Sequence, residues 1–335
     1  MAVCAGLVLG CGSGSPTLLA TANPAPASAA QATATAVPPS ATAHPTPTPF
    51  GPPMQDIAAA GATHLAQGGD WMQVTGGSAW IATDAGVRQL DGKTGAPKAV
   101  VPAAVICTAM DIGLDRLWFA DCSAGTVTAI DPKTVATRTY RLDGATAVEE
   151  GSVAAGEGAV WIATADMKLL RLDPTSGRIK AYPLPAPGAG VRAALGSVWV
   201  TAPSVDQVLR IDPLNGSIVG KIPVGRGPRF LAIGGESVWV QNNGDGTVTR
   251  LDGAGRVKAT TPVSLSPVDG GDIAYGGGFV WPRISAALIT KLDGKTGELL
   301  ATYGPPSGSG SVAADDEAAW VSAHDVTSVW RLPLD

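Results

Sequence analysis

Seven tryptophans at near-constant spacing, a recurrent aspartate turn, and short apolar runs without a helical period predict an all-β chain, a seven-bladed β-propeller of four-stranded antiparallel blades. The tryptophans are Trp80, Trp118, Trp161, Trp199, Trp239, Trp281 and Trp320, 38 to 43 residues apart. A unit of roughly 40 residues cannot bury its own apolar face and therefore stacks on copies of itself. No apolar run approaches the roughly 18 residues of a membrane helix.

Each tryptophan sits in an apolar run entered through small turn residues, as in Gly77-Ser78-Ala79-Trp80-Ile81 and Gly196-Ser197-Val198-Trp199-Val200. Such runs read as strands, with the indole filling the wedge between blades. The next strand ends in an aspartate turn, for example Arg210-Ile211-Asp212-Pro213-Leu214-Asn215-Gly216. In it, Asp accepts from the backbone N–H two residues on, Pro presets φ, and Gly supplies a positive φ. A third run such as Lys221-Ile222-Pro223-Val224 follows, and a fourth such as Phe230-Leu231-Ala232-Ile233-Gly234 leads into the next tryptophan. After Trp320 only one more strand fits, Ser328-Val329-Trp330-Arg331-Leu332, so the last blade lacks its outer strand. The segment from Ile57 to Ala66 aligns with that missing element and is expected to complete the last blade, closing the ring.

Ahead of the propeller, residues 1–55 hold no Asp, Glu, Lys or Arg. Residues 1–11 end Ala5-Gly6-Leu7-Val8-Leu9-Gly10-Cys11, a short apolar run that resembles a bacterial lipoprotein signal with Cys11 as the lipidated residue. Residues 12–55, rich in Ala, Pro, Thr and Ser, are expected to form a disordered tether, and 56–335 the propeller. These features predict an exported, monomeric domain on the outer face of a membrane, or free in the extracellular or periplasmic space, with membrane contact only through its lipid. A net charge of −5 and the lack of a Lys/Arg stripe oppose nucleic-acid binding.

Of the four cysteines, Cys107 and Cys122 share the second blade. A turn centred on Leu114 and Asp115 sets them opposite each other, so a cross-strand disulfide is expected, in keeping with an oxidising compartment.

In a propeller, the loops between second and third strands and those leading into each first strand share one mouth of the channel. The former contribute Asp84, Asp121, Asp166, Asn242, Asn243, Arg283, His324 and Asp325. The latter contribute Asp70, Glu149, Glu150, Arg192, Arg226, Arg229, Asp269 and Asp272. Both signs of charge suit a partner protein or a small polar ligand. Glu149 and Glu150 belong to the longest repeat, and adjacent strand residues face opposite ways, so one of the two is expected to aim inward. His324 is the one histidine within the repeats so delimited, and beside a carboxylate it has the chemistry of an acid, a base or a metal ligand. No nucleophile elbow, Walker loop or zinc-helix motif is present, and no cofactor is implied.

The recurring Gly-Ser-Val-Trp-Val, Arg-Ile-Asp-Pro and Ile-Pro-Val-Gly elements, clearest from Gly196 to Asp252, resemble the bacterial YVTN-type and virginiamycin B lyase-like propeller repeats. The resemblance covers residues 57–335 and implies the fold. Its lyase branch opens a cyclic antibiotic ester by elimination, using a divalent metal with a histidine and glutamates at the channel mouth. None of those catalytic positions maps onto this sequence. The favoured expectation is a binding or scaffold module for a partner protein or envelope ligand. The alternative that the resemblance implies is a lyase or hydrolase with Mg or Ca at the channel mouth.

Overall fold

The computed structural model describes residues 51–65, 68–103 and 106–334, the side chains of 106–109 excepted. Cys11 and most of the tether lie outside them. The strands form seven sheets, six of four strands and one of five, with hardly any helix. The fourth blade is typical: Val191–Ala194, Ser197–Ala202, Gln207–Ile211 and Ile218–Pro223 pair antiparallel in chain order. The first strands of the seven sheets touch one another in a closed ring, which makes them the wall of the central channel.

The ring closes as the sequence predicts. Strand Thr63–Leu65 pairs antiparallel with Ser328–Pro333 and becomes the outer strand of the seventh blade. A second N-terminal strand was not foreseen: Met54–Asp56 pairs parallel with Leu299–Gly304 and adds a fifth strand to the sixth blade. Ile57, just beyond it, is buried in the core cluster that holds Trp281 and Val321. The closing segment also carries His64, whose Nε2 lies 3.1 Å from Ser328 Oγ beside the Trp330 ring. The propeller therefore holds two histidines, and His324 is not its only one.

All seven repeat tryptophans are at most 1% exposed. Five of them donate their indole N–H to the carbonyl five residues earlier, as Trp199 does to Ala194 O at 3.1 Å, tying the second strand to the end of the first. Arginines of the third strands cover the indoles: Arg210 stands over Trp199 and Arg250 over Trp239, each also bonded to the serine that opens the second strand. The repeat thus engages these cations structurally. The aspartate turns behave as their composition dictates, Asp212 accepting from Leu214 N at 2.8 Å and Asp293 from Lys295 N at 2.8 Å.

In the second blade, Leu114 and Asp115 form the expected turn, both at positive φ. The register runs from Gly113 opposite Arg116 to Met110 opposite Phe119 and then slips by two residues, so that Ile106 faces Asp121. The bulge corrects the simple register from which the disulfide was predicted. Cys122 is disulfide-bonded, while the side chain of Cys107 lies outside the described ones.

Candidate functional site

The register places one residue of each first strand opposite the repeat tryptophan. Going around the ring these are Gln73, Asp111, Ala154, Arg192, Ala232, Ala274 and Ala313, each seven residues before its tryptophan. All but Ala154 line a cavity of about 110 Å3 in the channel. Gln73 Nε2 donates to Met110 O at 3.1 Å, and Asp111 Oδ2 accepts from Ala155 N at 2.8 Å, so these polar groups also staple neighbouring first strands together. Burial pushes the Asp111 carboxyl up, and the charge of Arg192 opposes that rise.

The channel is plugged toward the mouth singled out from the sequence. Trp71 of the first blade and Phe230 of the fifth meet across the axis with ring centroids 5.8 Å apart, and both are at most 2% exposed. Gly151 of the third blade completes the plug: a Cβ there would lie 3.6 Å from both rings. Arg229 covers Phe230, with its guanidinium 5.5 Å from the ring.

Above the plug lies the charged rim. Glu150 Oε2 accepts from Arg229 Nε at 2.9 Å and also from Nη2. His324 sits between two carboxylates, Nδ1 3.5 Å from Asp70 Oδ1 and Nε2 2.6 Å from Asp325 Oδ1. Burial raises the Asp70 carboxyl, His324 counteracts this, and the nearby charge of Glu150 adds to the rise. Asp325 Oδ2 in turn accepts from Ser309 N at 2.8 Å. Asp70, Glu150, Arg229, His324 and Asp325 are thus brought together, and each is between 30% and 47% exposed.

The other residues expected at the mouth are placed differently. Arg283 is fully buried and donates to five backbone carbonyls. Asn242 is fully buried and donates to Thr247 and Thr249. Asp121 caps its own turn through Ser123 and Ala124, and Asp166 pairs with Thr164 and Lys168. Asn243 donates to Gly270 O, and Arg226 and Asp269 bond through their backbone N–H groups to Asp245 and Ser285. Asp84 and Glu149 are exposed. Arg192 lines the cavity below the plug. Among the described residues, no three His, Cys, Asp or Glu side chains converge as a metal site.

Asp272 is a buried link between the sixth and seventh blades, accepting from Ser311 Oγ at 2.7 Å and Val312 N at 3.3 Å. Burial pushes its carboxyl up to about 6, against the opposing charge of Arg192. A carboxyl raised above its unfolded value near 3.9 binds its proton more tightly in the folded state, so its contribution to stability grows as pH falls through 6 toward 4. The turn aspartates, such as Asp173 and Asp293, are held low by backbone N–H groups and lose stability over the acid range, which is the opposite sign. Urea unfolding at pH 7.5 and pH 4 for the wild type and Asp272→Asn separates the two. The wild type is expected to gain about 2 kcal/mol on acidification relative to the variant. Equal pH responses would mean that Asp272 is hydrated.

No family model and no curated protein matches the sequence. Among solved structures the chain is similar to a catalytically inactive virginiamycin B lyase from Staphylococcus aureus with quinupristin, at a TM-score of 0.68 and 18% identity over 82% of this chain and 99% of that one. It is also similar to the WD40 repeats of RRP9, at 0.67 and 12% over 82% and 97%. The third likeness is to BamB from Moraxella catarrhalis, at 0.54 and 16% over 80% and 85%. The chain is a β-propeller. These likenesses extend to the fold, and one fold of this kind carries both catalysis and binding.

Proposed function

We infer that the propeller is a non-catalytic binding module that holds a partner protein or envelope ligand on the rim around Asp70, Glu150, Arg229, His324 and Asp325. In this reading the protein is exported and a lipid on Cys11 anchors it to the outer face of a membrane. The observation that carries the reading is the convergence of these five side chains from the first, third, fifth and seventh blades onto one half-exposed surface. Mutual pairing pre-orders them, so that a partner meets fixed charges at a reduced cost in side-chain entropy. Beneath them the plug of Trp71 and Phe230 gives the surface a rigid floor.

A photo-crosslinking side chain at Val326, exposed on this rim, is expected to give a discrete adduct in envelope extracts that Arg229→Glu weakens at least tenfold. The same probe at Leu214, in an aspartate turn on the opposite rim, is expected to give none. Adducts at Leu214 alone would overturn the assignment of the rim.

One observation favours the lyase or hydrolase reading: an imidazole between two carboxylates is an arrangement suited to proton transfer. Calorimetric titration with Mg or Ca, repeated on the His324→Ala, Glu150→Ala double variant, separates the two. A binding module gives no heat that the variant loses. Saturable heat in the wild type that disappears in the variant would establish a metal-assisted site instead.

A further inference from the structure

Beneath the plug, the ring of residues opposite the seven tryptophans is divided by chemistry. The first, second and fourth blades contribute Gln73, Asp111 and Arg192, and the fifth, sixth and seventh contribute Ala232, Ala274 and Ala313. All six border the cavity of about 110 Å3, several times the space one water needs. The three alanines make the room, since a larger side chain at those positions would fill the channel as side chains fill most small barrels and propellers. The surface it exposes is mostly polar, with a small apolar patch at the alanines, a lining that suits a small polar ligand carrying a short aliphatic part.

The polar arc is also incompletely engaged. Among the described residues, Arg192 makes one hydrogen bond, from Nη1 to its own neighbour Val191 O at 2.9 Å, although a guanidinium carries five N–H donors. Gln73 gives its amide N–H to Met110 O, which leaves its carbonyl oxygen as an acceptor. Asp111 meets Ala155 N through Oδ2, and a carboxylate has capacity for further donors. The charge of Arg192 reaches both Asp111 and the buried Asp272, yet no ion pair forms between Arg192 and either. A cation and an anion thus face the same space unpaired, one set for an incoming carboxylate and the other for an incoming ammonium.

We propose that this cavity binds a small neutral amino acid, its carboxylate on Arg192, its ammonium on Asp111 and the carbonyl of Gln73, and its short aliphatic part against Ala232, Ala274 and Ala313. A planar guanidinium takes a carboxylate bidentately, which gives the orientation. A free anion would meet the repulsion of Asp111, and a free cation that of Arg192. A zwitterion satisfies both. Because Trp71 and Phe230 fill the channel toward the charged rim, the ligand enters from the opposite rim. The site is separate from the rim proposed above, and its failure would leave that reading untouched.

Isothermal titration of the full chain with L-alanine tests it, with acetate and ethylammonium as single-charge controls. L-alanine is expected to bind one per chain and to raise the thermal unfolding midpoint with concentration. Acetate and ethylammonium are expected to bind at least tenfold more weakly. Arg192→Met and Asp111→Asn should each lose at least tenfold in affinity. Ala274→Leu, which leaves every charge in place and fills the cavity, should abolish binding and decides the matter even if the charge variants fold poorly. No saturable heat with L-alanine, acetate binding as tightly as L-alanine, or undiminished binding to Ala274→Leu would each overturn the proposal.

Discussion

A chain beginning at Gly68, without strands Met54–Asp56 and Thr63–Leu65, is expected to lose on the order of 5 kcal/mol of stability and to self-associate. Three contributions add to this. Ile57 is 3% exposed in the core between the sixth and seventh blades, and burial of such a side chain is worth about 1.5 to 3 kcal/mol. Leu65 packs against a cluster that joins Leu90 of the first blade to Trp320 and Val329 of the seventh, so it closes the seam between the two ends of the ring. Both strands also supply backbone hydrogen bonds, each worth roughly 1 kcal/mol net. The loss is comparable with the whole stability of many domains, about 5 to 15 kcal/mol. Removing Thr63–Leu65 also bares the edge of Ser328–Pro333, which is then free to pair with another copy. Urea unfolding and size-exclusion chromatography measure the two effects. A shortened chain that stays monomeric and unfolds within about 0.5 M urea of the full one would show that the ring holds without its closing strand.

The architecture was legible because every blade meets the same physical demand. An indole must fill each wedge, and in five blades its N–H also finds a carbonyl on the adjoining strand, so tryptophan returns at a fixed interval. The closing strand was legible from what the last blade lacked. Strand Met54–Asp56 was not, since a three-residue parallel addition leaves no pattern in Met-Gln-Asp. The rim was legible only in part. Loop position says which residues share a rim, but the length and local bonding of each loop decide which of them meet. Asp121, Asp166 and the amide N–H groups of Asn242 bond inside their own hairpins, as short polar side chains in turns commonly do. Asp111 escaped notice because it ends an otherwise apolar stretch and belongs to a strand, not a loop. A count of seven residues back from each tryptophan would have found it, together with Gln73 and Arg192. The contact of Trp71 with Phe230 has no such signal, since it spans the axis between blades distant in sequence.

Arg283→Ala is expected to cost about 4 kcal/mol, a large effect for a residue whose position suggested a ligand group. Its Nε donates to Ser322 O at 3.1 Å, Nη1 to Ile284 O at 2.8 Å and Ala287 O at 3.3 Å, and Nη2 to Ser307 O at 2.6 Å and Gly308 O at 3.0 Å. The guanidinium therefore gathers a loop of the sixth blade, the connection that follows it, and the second strand of the seventh. Burial lowers it to about 10, with the rim carboxylates Asp325 and Asp70 favouring the charged form, so it stays charged at neutral pH. Truncation leaves five carbonyls without their donor, each costing up to about 1 to 3 kcal/mol before water enters the space. Lysine keeps the charge but not the planar fork, and Arg283→Lys is expected to recover about half of the loss. The effect should reach the rim, because Gly308 and Ser309 lie against Asp325, whose carboxylate holds His324. Equilibrium urea unfolding of the two variants provides the measurement. A cost below about 1 kcal/mol for Arg283→Ala would mean that water already serves those carbonyls, and would return Arg283 to the groups free to meet a ligand.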